Sequence, residues 1–333
     1  MKLRIFFSAC AMALMGISLT SCDTDIEKID VQDPYKYDAQ YYKNLRDFHN
    51  SDHEISYCYY DSWSYSQSPN SYGQRFIGLP DSLDIVNLWG DVVTKEKYPI
   101  AYADMKFCQE VKGMKFVMHG DASNYNHQFW YRDENLNIDE SRVINLKDID
   151  ASGMSREECI RAYARWAVDT VVKCELDGVD FDYEGWNNQD MIWVADECHK
   201  YFGPEGKWPE KLFIIDFFGG SPSGCDDVTD YFVRQAYSWQ IGFQTGNSGR
   251  PYEKLVLCES TGAEAANGGK DGAMVREYAA FEPASGRKGG FGAFYIDYNY
   301  QSTSGIPYKE FREAIQIQNP AIKKQFYKQV ETL

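Results

Sequence analysis

Short runs of β-branched and aromatic residues return at intervals along this chain, separated by polar or helix-patterned stretches. The runs are Ile55 to Tyr60, Ile85 to Trp89, Met114 to His119, Gly178 to Tyr183, Leu212 to Phe217, Tyr231 to Tyr237, Leu255 to Glu259 and Gly292 to Ile296. Their length and composition predict strands. Helical spacing fills several of the intervals. The clearest helix starts at Ser155, where Glu158 three residues on forms a capping box. Its Ile160, Tyr163, Ala164, Ala167, Val171 and Val172 recur at helical spacing. Further helices are predicted from about Met191 to Tyr201, stopping near Gly203, and over Gly272 to Phe281. Strands alternating with helices predict a parallel sheet. Eight such units in ~270 residues predict an α/β fold, a single-domain (β/α)8 TIM barrel over residues 51–333. The alternative is an open doubly wound sheet, but no Gly-rich dinucleotide fingerprint supports it, since Gly289-Gly290-Phe291-Gly292 precedes a strand.

One predicted strand breaks the apolar pattern. Asp180, Asp182 and Glu184 alternate with Val179, Phe181 and Tyr183, so three acids share one strand face. Crowded carboxylates repel, and buried ones resist ionisation. That cost suits a site needing a general acid with a raised pKa beside a neighbour that stays charged. The segments after several strands mix aromatic residues with Asn, Gln and Ser: Trp63 in the first, Trp186 and Asn187 after the fourth, Trp239 after the sixth. In a barrel these loops share the rim where active sites form. An uncharged, aromatic, hydrogen-bonding rim suits a neutral carbohydrate.

The chain begins with Lys2 and Arg4, an apolar stretch from Ile5 to Leu19, and Leu19-Thr20-Ser21-Cys22, the anatomy of a secretory signal over residues 1–21. Leu-x-Ser-Cys resembles a bacterial lipobox. The resemblance implies cleavage before Cys22, lipidation of its thiol and a membrane anchor there. Asp23 to Glu27 is an acidic tether resembling the surface-export signals of some Gram-negative lipoproteins, so a surface-exposed outer-membrane lipoprotein is expected. Residues 22–50 read as the lipidated tether and an N-terminal segment with a first helix. No second long apolar run follows, so no membrane span is expected. A net charge of −16 argues against nucleic acid and anionic glycans as partners. Aromatic residues make up 16% of the chain, which suits both sugar binding and a large core. Besides Cys22, the mature chain keeps seven cysteines, so at least one is unpaired or bridges chains. None sits at C-x-x-C spacing and no His pair has H-x-x-x-H spacing, so no zinc or other metal and no cofactor is expected. A monomer is expected.

Asp177-Gly178-Val179-Asp180-Phe181-Asp182-Tyr183-Glu184 resembles the Asp-Gly-x-Asp-x-Asp-x-Glu motif of glycoside hydrolase family 18, in all five specified positions and at the fourth predicted strand. That family holds chitinases and endo-β-N-acetylglucosaminidases. Asp230 to Tyr237 resembles its sixth strand, ending Gln-x-Tyr, and Gly290 to Tyr298 its Gly-rich eighth. The pattern is similar over roughly residues 50 to 310. The resemblance implies substrate-assisted, retaining catalysis without metal. Glu184 would protonate the leaving oxygen, and Asp182 would hold the substrate acetamide and stabilise an oxazolinium. Asp180 would share a proton with Asp182 and orient it. Tyr237 would bond the acetamide oxygen and Gln235 a nearby substrate group. Asp177 and Gly178 would be structural.

Two departures shape the expectation further. The eighth strand ends Phe294-Tyr295-Ile296-Asp297-Tyr298 without the tryptophan that floors many chitinase sites, leaving Tyr295 or Tyr298 to serve. Glu259 to Gly289 leaves no room for the extra small domain of many processive chitinases. A shallow cleft suits an endo-β-N-acetylglucosaminidase cutting GlcNAc-β-1,4-GlcNAc in the N-glycan core. A chitinase of the same mechanism, or a non-catalytic glycan-binding protein on this scaffold, is the alternative.

Overall fold

The eight apolar runs pair side by side as parallel strands and close on themselves. The computed structural model describes residues 36–122, 126–237, 244–262, 274–302 and 304–320. The barrel strands are β1 (Ile55–Tyr60), β2 (Ile85–Leu88), β3 (Lys115–Gly120), β6 (Gly178–Asp182), β7 (Leu212–Phe217), β8 (Tyr231–Gln235), β9 (Leu255–Ser260) and β10 (Gly290–Phe294). They close in the order β1-β10-β9-β8-β7-β6-β3-β2. Two further strands, β4 (Gln128–Arg132) and β5 (Ile138–Asn145), form an antiparallel hairpin between the third and fourth barrel strands. The chain is a (β/α)8 barrel.

Period-two alternation divides each barrel strand between two cores. Tyr57, Tyr59, Ile85, Val117, Ile214, Val233, Val256 and Cys258 point into the barrel. Their neighbours Cys58, Tyr60, Val86, Phe116, Val179, Phe181, Phe213 and Ile215 point outward, into the layer packed by helices. Those helices are α1 (Ala39–His49), α2 (Pro99–Phe107), α3 (Arg156–Lys173), α4 (Asn188–His199), α5 (Met274–Ala280) and α6 (Lys309–Gln318). The α3 start is as predicted, with Ser155 Oγ accepting from Glu158 N at 3.2 Å. The reciprocal half of the box is redirected. Glu158 Oε1 instead accepts from Tyr131 on the hairpin and Arg165 on α3, both at 2.7 Å.

An acid ahead of a strand repeatedly fixes the neighbouring strand's first turn of hydrogen bonds. Asp84 accepts from Ser56 N, Asp177 from Phe116 N and Asp230 from Phe213 N, each at 2.8 Å. Each bond to an ionised acceptor stabilises register by ~1.5–3 kcal/mol. Gly178 is structural, as expected: a Cβ there would lie 2.3 Å from Leu212 O on β7. Helix α1 lies before residue 51 yet packs on the barrel's N-terminal end, through Arg46 to Val111 O (2.7 Å) and His49 to Asp84 (2.8 Å). The seven described cysteines are all free thiols. Among the described residues, no helix is long and apolar enough to cross a membrane.

Candidate active site

The inward face of the barrel is apolar toward the strand starts and polar toward the strand ends. Continuing the same alternation, Asn87 follows Ile85, His119 follows Val117, Asp180 and Asp182 follow Gly178, Asp216 follows Ile214, and Gln235 follows Val233. The polar layer therefore sits at the C-terminal end, where barrel enzymes carry their chemistry. Asp180 and Asp216 are wholly buried and Asp182 is 6% exposed.

Asp180 Oδ2 accepts hydrogen bonds from the Tyr57 hydroxyl and from Asn87 Nδ2, the latter at 2.9 Å. Burial pushes Asp180 up to about 6, while the donors Tyr57 and Asn87 and a hydrogen bond with Asp216 hold it back. Burial also raises Asp182, to about 8, helped by the charges of Glu184 and Asp180 and opposed by a hydrogen bond with Asp216. Asp216 stands opposite Asp182 in the β6–β7 register. Burial and then the charges of Asp180 and Asp182 hold it well above the usual carboxylate range. Gln235 Nε2 donates to Asp216 Oδ1 at 2.5 Å.

Glu184 lies just past β6, half-buried, before Gly185 turns the chain with φ +74° toward α4. Among the described residues, no hydrogen bond or ion pair holds its side chain. Its charge bears on Asp182, Asp216 and Tyr237. Tyr237 stacks on Phe294 at 5.6 Å, and burial raises its phenol well above the ordinary value. Trp89 meets Phe294 edge-on at 5.2 Å and His119 at 4.4 Å, and Tyr59 meets both Trp89 and Phe294. Burial pushes His119 down to about 4, so its ring is neutral at physiological pH. Four carboxyls and a phenol thus converge inside an aromatic collar. Such a site can present a protonated acid beside a carboxylate to a neutral ring-shaped substrate.

A family model described as glycoside hydrolase family 18, BT1044-like, matches residues 20–248, more than half of the chain. The chain belongs to glycoside hydrolase family 18. It is 25% identical over 311 residues to endo-beta-N-acetylglucosaminidase F2 of Elizabethkingia meningoseptica, covering 83% of this chain and 85% of that one. The barrel is similar to an endo-beta-N-acetylglucosaminidase from Cordyceps militaris, solved as a double mutant in complex with fucosyl-N-acetylglucosamine-Asn. That likeness has TM-score 0.61 and 18% identity over 88% of this chain and 100% of that one. It also resembles a putative Chitinase A from Streptomyces coelicolor, with TM-score 0.51 and 12% identity over 80% and 99%. The protein is a family-18 glycoside hydrolase related to endo-β-N-acetylglucosaminidases and chitinases.

Within this family-18 barrel, Asp180, Asp182, Glu184 and Tyr237 come together at the C-terminal end. Gln235 joins them, with one amide N–H donated to Asp216. Other expectations need correction. Trp63 is 1% exposed, donates from Nε1 to Tyr60 O (2.9 Å) and packs between Phe76 and Tyr98, so it anchors its loop in the core. Trp186 is 7% exposed and stacks on Tyr163 of α3, again behind the rim. Asn187 caps α4, its oxygen accepting from Asp190 N at 2.9 Å. At the eighth strand's end the inward ring is Phe294. Tyr295 begins the turn at φ 57° and lies tilted against Phe294 at 4.0 Å, and Tyr298 is half exposed beyond it. Trp239 and Cys22 lie outside the described residues. The expected Asp180–Asp182 pair has a third member: a hydrogen bond with Asp216 lowers both, while the charge of Asp180 raises Asp182. Sequence reasoning missed Asp216, Tyr57, Asn87, Trp89 and His119. The one signal for Asp216 was a lone acid at an inward position of an otherwise apolar strand.

Proposed function

We propose that this chain is an endo-β-N-acetylglucosaminidase that hydrolyses GlcNAc-β-1,4-GlcNAc by substrate-assisted, retaining catalysis. The observation that carries the reading is Glu184, unpaired among the described residues and adjoining a buried, proton-rich set of aspartates. In this reading Glu184 gives its proton to the glycosidic oxygen as the bond to the anomeric carbon breaks. The carbonyl oxygen of the substrate's own acetamide attacks that carbon, forming an oxazolinium. Asp182 accepts the acetamide N–H and offsets the developing positive charge. Tyr237 donates to the acetamide oxygen. The Glu184 carboxylate then takes a proton from the water that opens the ring, so configuration is retained. Trp89, Tyr59 and Phe294 give the sugar apolar ring faces, and Tyr298 extends them at the rim.

The relatives named above support an N-glycan over chitin, because two are endo-beta-N-acetylglucosaminidases and one of them was solved with a fucosylated N-acetylglucosamine-Asn. Mass spectrometry of glycans released from high-mannose and complex glycoproteins, run beside chitin oligomers, tests the choice. Free glycans carrying one reducing-end N-acetylglucosamine are expected. Release from chitin oligomers alone would make the enzyme a chitinase. Binding without any product would make the chain a glycan-binding protein. The Leu19 to Cys22 motif further supports a lipid anchor on Cys22 and display on the outer membrane. Fractionation after Cys22→Ala tests this: the protein should leave the membrane fraction, and unchanged sedimentation would refute the anchor.

A further inference from the structure

We propose that Asp216 is the positioning residue of this site, a neutral carboxylic acid that donates a hydrogen bond to whichever of Asp180 and Asp182 carries the charge. The inference rests on the hydrolase reading for its consequence, but its geometry stands apart from it.

Asp216 faces the barrel interior from β7, directly opposite Asp182 and wholly buried. A hydrogen bond with Asp216 is among the causes that lower both Asp180 and Asp182. Two carboxyls can bond to each other only when one holds a proton, since carboxylate oxygens only accept. The partners say where that proton sits. Asp180 Oδ2 receives two donors, Tyr57 and Asn87, and so is the member best suited to carry charge. Asp216 Oδ1 is taken by the Gln235 amide, which fixes that oxygen as an acceptor and leaves Oδ2 for the proton. Apart from that shared proton, Asp216 Oδ2, Asp180 Oδ1 and Asp182 Oδ1 are buried without a partner. A proton on Asp216 Oδ2 satisfies that oxygen and one acceptor at a time. Burial and the two neighbouring charges favour it there.

The groups bearing on Asp216 are Asp180, Asp182 and Glu184 from the β6 segment, Gln235 and Tyr237 from the β8 side, Tyr57 and Tyr59 from β1, and Cys258 from β9. None of the acids among them has a Lys or Arg partner among the described residues. In the resting site the Asp216 proton serves Asp180. As the oxazolinium forms, Asp216 passes its proton to Asp180 and takes the one on Asp182, so Asp182 turns anionic while Asp216 stays neutral and donates to it. Gln235 orients Asp216 through its amide N–H.

The test is a set of pH–rate profiles for wild type, Asp216→Leu and Asp216→Asn on an N-acetylglucosamine-linked glycan. The leucine variant removes the donor, so kcat should fall ~100-fold with KM nearly unchanged, and the acidic limb should move to higher pH. An asparagine can accept from Gln235 and still donate toward Asp182. Its kcat should therefore stand ~10-fold or more above the leucine variant, with the limb returning toward wild type. Equal loss in both variants, or an unmoved profile in the leucine variant, would overturn the proposal. Carboxyl carbon NMR of the wild-type protein gives a second readout that needs no activity: Asp216 should show the neutral form at neutral pH, and a carboxylate signal there would overturn the proposal. A wild type without turnover but with neutral Asp216 would sink the hydrolase reading and leave the proton's place standing.

Discussion

Replacing Asp84 should unfasten the barrel's N-terminal end without touching its chemistry. Asp84 precedes β2, and its side chain is 7% exposed. Its Oδ1 accepts from His49 Nδ1 at 2.8 Å and His53 Nε2 at 2.9 Å. Its Oδ2 accepts from Ser56 N at 2.8 Å and Ser56 Oγ at 2.9 Å. The far nitrogens of both rings face carbonyls, Asp81 O at 3.0 Å and Ser51 O at 2.9 Å. Burial alone would lower His53, but the hydrogen bond and charge of Asp84 raise it. Burial alone would raise Asp84, but the two histidines hold it well below the usual carboxylate range. Asp84→Ala strands a buried imidazolium and leaves Ser56 N–H unpaired, a loss of ~3–5 kcal/mol by comparison with other broken buried pairs. The pH dependence follows from the two shifts. The depressed Asp84 contributes above ~3.9 and loses that contribution as pH falls through its lowered value. The raised His53 contributes fully below ~6.5 and loses it as pH rises through its raised value. Urea denaturation should therefore show the largest cost of Asp84→Ala between those limits and a smaller one in mild alkali. Turnover by the folded fraction should stay at the wild-type level, because the acids lie at the other end of the barrel. A cost below ~1 kcal/mol, or one independent of pH, would contradict a charged Asp84–His53 pair.

Two further substitutions separate core from site. Tyr57→Phe removes a donor to a buried carboxylate, worth ~1.5–3 kcal/mol, so Asp180 should titrate above its present value of about 6 in carboxyl carbon NMR. An unmoved Asp180 would contradict its assigned partner. Trp63→Ala should cost ~3–5 kcal/mol in thermal or denaturant unfolding, as a buried aromatic truncation does, while KM for glycan barely changes. A large KM effect with intact stability would return Trp63 to the rim.

All eight barrel strands were legible in the sequence because a parallel barrel buries both strand faces, leaving continuous β-branched and aromatic runs between helical intervals. The β4–β5 hairpin was not, since Asp139-Glu140-Ser141-Arg142 looks like exposed loop and β5 shows little burial. Its register is instead held by tertiary bonds, such as Arg132 Nε to Asp169 on α3 at 2.6 Å. The acids of β6 stood out because three of them share one face. Asp216 did not, because one acid in Leu-Phe-Ile-Ile-Asp-Phe gains meaning only when β6 and β7 are set in register. Trp63 and Trp186 show the opposite limit: loop aromatics near a rim can turn inward as anchors, and composition does not tell the two apart.

In the proposed reaction the Glu184 carboxyl supplies the proton that breaks the glycosidic bond. The direct measurement is single-turnover kinetics together with glycan binding for Glu184→Gln. Binding should stay within a few-fold of wild type and chemistry should slow by at least ~100-fold, because the amide keeps the shape but has no proton to give. Hydrolysis at the wild-type rate by that variant would contradict it.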